Sequence, residues 1–454
     1  MSISFLNISG WGIKATSTHH HGQSTVEFPT KAKDSISLQS LVSQSIPDKS
    51  HFYTSLTAFS GTLQTMALSN KAFDTGDKRN VHYGRRVFEF TDGGIASVDY
   101  VLPTPVTKEQ KDKFATLTVE NLKENWPRQN KGTRFLSTAE IAEKTKGDIN
   151  DDSNVLIIIH GLGGGSHEPL IRDLITNVTK VSEEKLFQEI MVLNCRGCSR
   201  SKIATPELFC GFSTNDLREV IQELNELYPN RKIFLAGYSF GCVTILNYLA
   251  EESKRGLDHQ IQLVFTIGGP WDMIDSNYRI QNTYSGKYLF EPAILGFLKR
   301  LVKNNRAELE PYTLEHPELG VKYDEPTLKS LKHISDFDDA FTAKVFGFNS
   351  SYEYYRKASP VNFINEITFP VVAINSIDDP CVGVNLPVRE IKTNPYLLQV
   401  ETDLGGHLAF IDSKGESWVN KKLASIFKTF INTVDTNKPV DNIGYQSKKN
   451  QFGV

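Results

Sequence analysis

From residue 155 to 270 the chain alternates short, fully apolar runs with longer segments whose apolar residues recur at helical spacing. "VLIII" precedes "EPLIRDLITNVTKV", "EIMVLNC" precedes "STNDLREVIQELNELYP", and "KIFLAG" precedes "CVTILNYLAEES" before a fourth run, "IQLVFTIGG". This pattern leaves few folds open. A strand that is apolar on both faces must be covered on both, and strands joined through helices lie parallel. The expected architecture is α/β, with a mostly parallel central sheet and helices on both faces. In the clearest helical segment Leu217, Val220, Ile221, Leu224 and Leu227 share one face, Ser213 stands at the N-cap with Asp216 three residues on, and Pro229 stops it.

The alternation lapses after Trp271 for an aromatic, helix-prone stretch, then resumes with "PVVAINS" and "YLLQVETDLGGH" before a last helix over "SWVNKKLASIFKTFINTV". An insertion ahead of the last two strands is where a lid covers a site. Upstream, "RRVFEFTDGGIASVDYVLP" reads as a hairpin around Asp92-Gly93-Gly94. The expected organisation is an N-terminal extension over 1–84, a core over 85–270, a helical lid over 271–357, the rest of the core over 358–436 and a flexible tail over 437–454. Within the extension, "LTAFSGTLQTMALS" (56–69) is the best helical candidate.

The third strand–helix junction carries chemistry. "GYSFG" sets Ser239 between Gly237 and Gly241 at a strand-to-helix turn. Such a turn strains the serine backbone and holds its hydroxyl at a helix N-terminus. A serine hydroxyl needs a base and an acid that orients the base. Two later loops offer them at C-terminal strand ends, where open α/β sheets place their sites: "SIDDPC" with Asp378 and Asp379, and "LGGHLAF" with His407. Oxyanion donors are expected from the amides of Phe240, directly after Ser239, and of Leu162 in "HGLGGG", flanked by Gly161 and Gly163. A dinucleotide fingerprint in that loop fails, because Ser166 stands where a third glycine is needed. His160 and His167 read as residues that shape or pack the loop.

The bulk numbers exclude other classes. A net charge of −3 gives no electrostatic footprint for nucleic acid. Five cysteines at uneven spacing make no disulfide framework, and "CRGC" (Cys195, Cys198) lacks the second pair that a zinc site would need. No metal and no cofactor are expected. The histidine tract His19–His21 reads as an incidental surface feature. The N-terminus lacks the pattern of a signal peptide, so an intracellular protein is expected, cytoplasmic or peripheral on lipid droplets or the mitochondrial outer surface.

"HGLGGGSHEPLIR", "LNCRGCSRSK", "GYSFG", "INSIDDP" and "ETDLGGHLAF" together resemble the α/β-hydrolase group that contains the yeast medium-chain fatty acid ethyl ester synthases/esterases. The resemblance runs from about "YGRR" to the final helix. It implies an α/β-hydrolase fold with a lid and a triad matching Ser239, Asp379 and His407. The order Asp379-Pro380 favours Asp379 as the acid, with Asp378 left to cap the turn. It implies medium-chain acyl-CoA as a substrate and ethanol or water as acceptor. Any contact with lipid surfaces is expected to be peripheral, because no apolar run approaches the length needed to span a bilayer. Tyr238 stands where some members carry a smaller residue, which bears on acyl-chain preference. Two rival readings are an intracellular monoacylglycerol lipase or carboxylesterase, and an inactive hydrolase fold that binds lipid or acts as a scaffold.

Overall fold

A computed structural model describes residues 12–68, 80–256 and 260–445. The strands in chain order are β1 (Ile13–His20), β2 (Glu27–Pro29), β3 (Ser35–Ser37), β4 (His51–Thr54), β5 (His82–Glu89), β6 (Ile95–Leu102), β7 (Thr133–Phe135), β8 (Asn154–Ile159), β9 (Glu189–Asn194), β10 (Lys232–Tyr238), β11 (Ile261–Ile267), β12 (Val371–Ser376) and β13 (Leu397–Thr402). Eleven of them form one sheet in the order β4-β1-β13-β12-β11-β10-β8-β9-β6-β5-β7. From β9 to β13 along this order every pairing is parallel. The hairpin β5–β6 joins antiparallel to β9 on one side.

Strand periodicity builds the two cores. Leu156 and Ile158 face one layer, where Phe234, Phe265 and the helix Trp418–Thr433 pack. Val155, Ile157 and Ile159 face the other, against the helices Thr214–Leu227 and Phe240–Arg255. Every residue of β10 and β12 is buried, as fully covered parallel strands require. On the first face Phe427 meets the rings of Phe187, Phe234 and Phe265 at 5.3, 5.8 and 4.9 Å. Truncating such a residue to alanine costs about 3–5 kcal/mol.

The N-terminal region is no appendage. β1 pairs antiparallel with β13 and carries β4 on its outer side, so these two strands extend the sheet, while β2 and β3 pair with each other apart from it. The strands of this region gave no clear period because the buried positions of β1 are the small or polar residues Ala15, Ser17 and His19 and the other strands have only three or four residues. The histidine tract belongs to this strand: His19 is buried, and His20 Nε2 lies 3.1 Å from Glu401 Oε2 on β13. Burial pulls His19 below the usual imidazole range. The helix expected over 56–69 spans Gly61–Leu68, and residue 69 lies outside the described residues. The start of the chain, 1–11, and 446–454 of the expected tail lie outside them too. The described part of the tail is tied down: Glu27 and Asp441 exchange both backbone hydrogen bonds, and Tyr445 Oη donates to Asn365 O at 2.8 Å. Ser213 occupies the N-cap position without capping. Its hydroxyl accepts from Cys210 N at 2.8 Å, and Asp216 pairs with Arg196 instead.

Between β11 and β12 the chain forms a run of helices from Met273 to Ala358. They enclose a core of their own that includes Leu298, Val302, Leu328, Phe337 and Phe341. No helix among the described residues is long and apolar enough to cross a membrane.

Candidate active site

β10 ends at Tyr238 and the helix Phe240–Arg255 starts two residues later, so Ser239 must turn the chain within one residue. It does so at φ +51°, ψ −119°, a conformation that a side-chain-bearing residue holds only when its surroundings impose it. Ser239 N–H donates to Ile267 O at 2.9 Å and its carbonyl accepts from Cys242 N–H at 3.0 Å. Gly241 is required here: a Cβ on it would lie 2.6 Å from Ile159 O and 2.7 Å from His160 O.

The hydroxyl of Ser239 lies 2.9 Å from His407 Nε2, and His407 Nδ1 lies 2.8 Å from Asp379 Oδ2. Asp379 is completely buried. Its second oxygen, Oδ1, accepts from the amides of Cys381 (2.7 Å) and Val382 (3.0 Å), and its carbonyl accepts from Arg279 Nε at 2.6 Å. Every polar atom of the acid is therefore assigned, and the carboxylate has one direction left, toward the imidazole. Asp378 points elsewhere. Its Oδ1 accepts from Ser376 Oγ (2.6 Å) and from the amides of Gly405 (3.0 Å) and Gly406 (2.8 Å). It ties the acid loop to the histidine loop, and burial raises it above the usual carboxylate range.

Ser239, Phe240, Leu162 and His407 share one cavity of about 140 Å³, walled on the far side by Ile280, Ile294, Leu298 and Phe337 from the inserted helices. Phe240 opens its helix, so its amide is among the first-turn donors without an intrahelical acceptor. A proton acceptor beside a hydroxyl, a buried carboxylate behind it and an apolar cavity in front constitute what acyl transfer through a serine needs. Tyr238 takes no part in this cavity. It sits on the opposite face of the strand, buried, where its hydroxyl donates to Asn420 Oδ1 at 2.7 Å. Its bearing on acyl-chain preference falls away for that reason.

His160 is a strut rather than a base. Its Nε2 accepts from Cys195 N–H at 3.1 Å, so Nδ1 carries the proton, donated to Gly161 O at 2.7 Å. Burial pulls it down to about 4. His167 packs against Ser199 Oγ at 3.3 Å, and burial likewise pulls it down to about 4. Cys195 and Cys198 are free thiols, and burial pushes Cys195 up to about 12. The residue set able to offer three metal donors among the described residues is Asp379, Cys381 and His407, of which two already engage each other.

Two groups gave no signal in the sequence. Arg85 and Asp99 form a fully buried two-pronged ion pair at 2.7 Å. Asp99 also accepts from Ser166 Oγ and Asn194 Nδ2, and Arg85 donates to Ser199 O. This network joins "YGRR", "GGGS" and "NCRGCS", three blocks far apart in sequence. The other group is Gln64 and Thr65, whose side chains accept from Ile411 N–H and His407 N–H.

The alpha/beta hydrolase fold family matches residues 154–414. Over 450 residues the chain is 34% identical to the medium-chain fatty acid ethyl ester synthase/esterase 2 of Saccharomyces cerevisiae, covering 94% of this chain and 97% of that protein. It is 34% identical over 371 residues to the monoacylglycerol lipase of the same yeast, covering 82% and 78%. It is 28% identical over 280 residues to the human phospholipase ABHD3, covering 61% and 63%.

Proposed function

The chain belongs to the alpha/beta hydrolase fold family and is an enzyme of the ester hydrolase and acyltransferase type; from that premise we propose that it transfers medium-chain acyl groups from acyl-CoA to ethanol and hydrolyses the resulting esters. The observation that carries this reading is the hydrogen-bonded line Ser239–His407–Asp379 opening on an apolar cavity. His407 Nε2 takes the Ser239 proton as Oγ attacks the thioester or ester carbonyl. Asp379 holds the imidazole with Nδ1–H toward itself and stabilises the imidazolium. The amides of Phe240 and Leu162 receive the oxyanion. The thiol or alcohol leaves with the proton from His407. Ethanol or water, deprotonated by the same imidazole, then resolves the acyl-enzyme. The acyl chain lies among the apolar residues of the cavity, and no cofactor enters any step.

A second reading is hydrolysis of monoacylglycerols, favoured by the 34% identity to the yeast monoacylglycerol lipase. Incubation with a fluorophosphonate tests the serine chemistry common to both, since only an activated serine labels. The wild type labels and Ser239→Ala does not, while ester turnover in that variant falls by about 10⁴-fold or more with the circular dichroism unchanged. Retained turnover of more than a few per cent would remove Ser239 from the mechanism. Ester and acid formed from medium-chain acyl-CoA with and without ethanol, beside glycerol released from a monoacylglycerol, then separate the two readings.

A further inference from the structure

The loop that carries His407 is held in an unfavourable conformation. Leu408 and Phe410 both have positive φ, +65° and +41°. Non-glycine residues stay there only where the surroundings over-determine the backbone. Most of the hydrogen bonds that impose it come from elsewhere in the chain. Asp378 takes the amides of Gly405 and Gly406. The next amide, that of His407 itself, donates to Thr65 Oγ1 at 2.8 Å, and the amide of Ile411 donates to Gln64 Oε1 at 2.9 Å. Both acceptors lie on the helix Gly61–Leu68, some 340 residues earlier in the chain, and Gln64 and Thr65 are both buried.

The contact leaves no slack. A Cβ on Gly406 would lie 2.5 Å from Gly61 O and 2.9 Å from Thr65 Oγ1, and a Cβ on Gly61 would lie 2.0 Å from Asp378 O. Thr65 spends its single proton on Gly61 O at 2.7 Å. Its oxygen therefore presents a lone pair, fixed in direction, to the His407 amide. One short helix thus presses on the acid loop through Gly61 and on the base loop through Thr65 and Gln64. It lies outside residues 154–414, where the family match falls.

We infer that Thr65 is a positioning residue for His407: its hydroxyl fixes the backbone from which the imidazole reaches both Asp379 and Ser239, so that the N-terminal segment completes the catalytic site. The inference rests on the serine mechanism proposed above. An imidazole that must hold contacts of 2.8 and 2.9 Å at once tolerates little displacement. A shift of about 1 Å in such a group costs on the order of 100-fold in rate. Substrate contacts are untouched, because Thr65 does not line the cavity.

The test uses the full chain as wild type, Thr65→Val and Thr65→Ser, read by the fluorophosphonate labelling rate of Ser239, by kcat and KM on a medium-chain p-nitrophenyl ester, and by the thermal midpoint. Valine keeps the shape and removes the acceptor. We expect kcat and the labelling rate to fall together by about tenfold or more, with KM within about twofold, and serine to restore both. A purely structural role would lower the midpoint without this split. Labelling of Thr65→Val at the wild-type rate overturns the inference, as does Thr65→Ser performing no better than Thr65→Val. If Thr65→Val does not fold, Thr65→Ala, which adds no methyl group against Gly406, is read by the same criteria. A wild type that fails to label overturns the serine mechanism and this inference with it. A wild type that labels beside a Thr65→Val that labels equally fast overturns the inference alone.

Discussion

Asp378 and Asp379 are neighbours in sequence whose carboxylates serve different loops: Asp379 Oδ2 meets His407 Nδ1 at 2.8 Å, while Asp378 Oδ1 takes the amides of Gly405 and Gly406. The division predicts unequal effects of the same substitution. Asn at 379 favours the wrong imidazole tautomer, which in a serine triad costs roughly 10⁴ in kcat. Asn at 378 keeps an oxygen where the two amides point, so a loss of no more than about tenfold is expected. Ester hydrolysis by the two variants decides it. Equal losses, or the reverse order, would transfer the acid role to Asp378.

Tyr238→Phe separates packing from specificity. The change removes one hydroxyl and leaves Asn420 Oδ1 without the donor it now has at 2.7 Å. Stability should fall by about 1–2 kcal/mol in chemical denaturation. The order of preference over a series of esters of defined acyl length should stay as in the wild type, because the side chain lies across the sheet from the cavity. A changed order would place Tyr238 back among the specificity determinants.

His160 gives stability a pH dependence of known sign. Its folded value is pulled to about 4 by burial, against about 6.5 in the unfolded chain. Between these values the unfolded chain binds the proton and the folded one does not, so this contribution is complete above about 6.5 and is lost as pH falls toward 4. From pH 6.5 to 5 that amounts to about 1.6 kcal/mol. Glu168 acts in the opposite sense, since burial raises it to about 7 and its contribution is lost as pH rises through that value. The informative quantity is therefore the difference between wild type and His160→Gln. The gap in unfolding free energy between pH 6.5 and 5 should be about 1.6 kcal/mol smaller in the variant. An unchanged gap would mean that His160 is protonated in the folded protein.

The legible parts of this molecule are those with local periods. β8, β10 and their helices announce themselves because a buried parallel strand is apolar throughout and its helix repeats every 3.6 residues. Ser239 and His407 are legible through the turns that follow such strands. The direction of Tyr238 was also available: Phe234, Ala236 and Tyr238 alternate onto one face and share one core. Thr65 was not. Its role rests on one hydrogen bond to a residue 342 positions away, and nothing in "GTLQTMAL" points to a partner. β1 was hidden for a different reason: "IKATSTHH" buries alternate residues only, and that alternation is carried by Ala, Ser and His rather than by large apolar residues.

The balance between transfer and hydrolysis should lie in the cavity wall. Both acceptors are activated by the same imidazole, and water is in large excess. Ethanol competes only if its carbons gain from burial. Two methylene equivalents are worth about 1.6 kcal/mol, roughly a fifteenfold enrichment, and this gain exists only against apolar walls. Ile294 and Ile334 line the cavity from the inserted helices and are only half-buried, so changing them alters the wall without emptying the core formed around Val302 and Leu328. In Ile294→Ser and Ile334→Ser the ester-to-acid ratio from medium-chain acyl-CoA at fixed ethanol should fall several-fold, while total acyl release falls less. Titrating ethanol against both products measures it. A wild-type ratio that stays near zero at high ethanol would reject transfer and leave hydrolysis. A finite ratio that the two variants do not change would place the ethanol site away from the inserted helices.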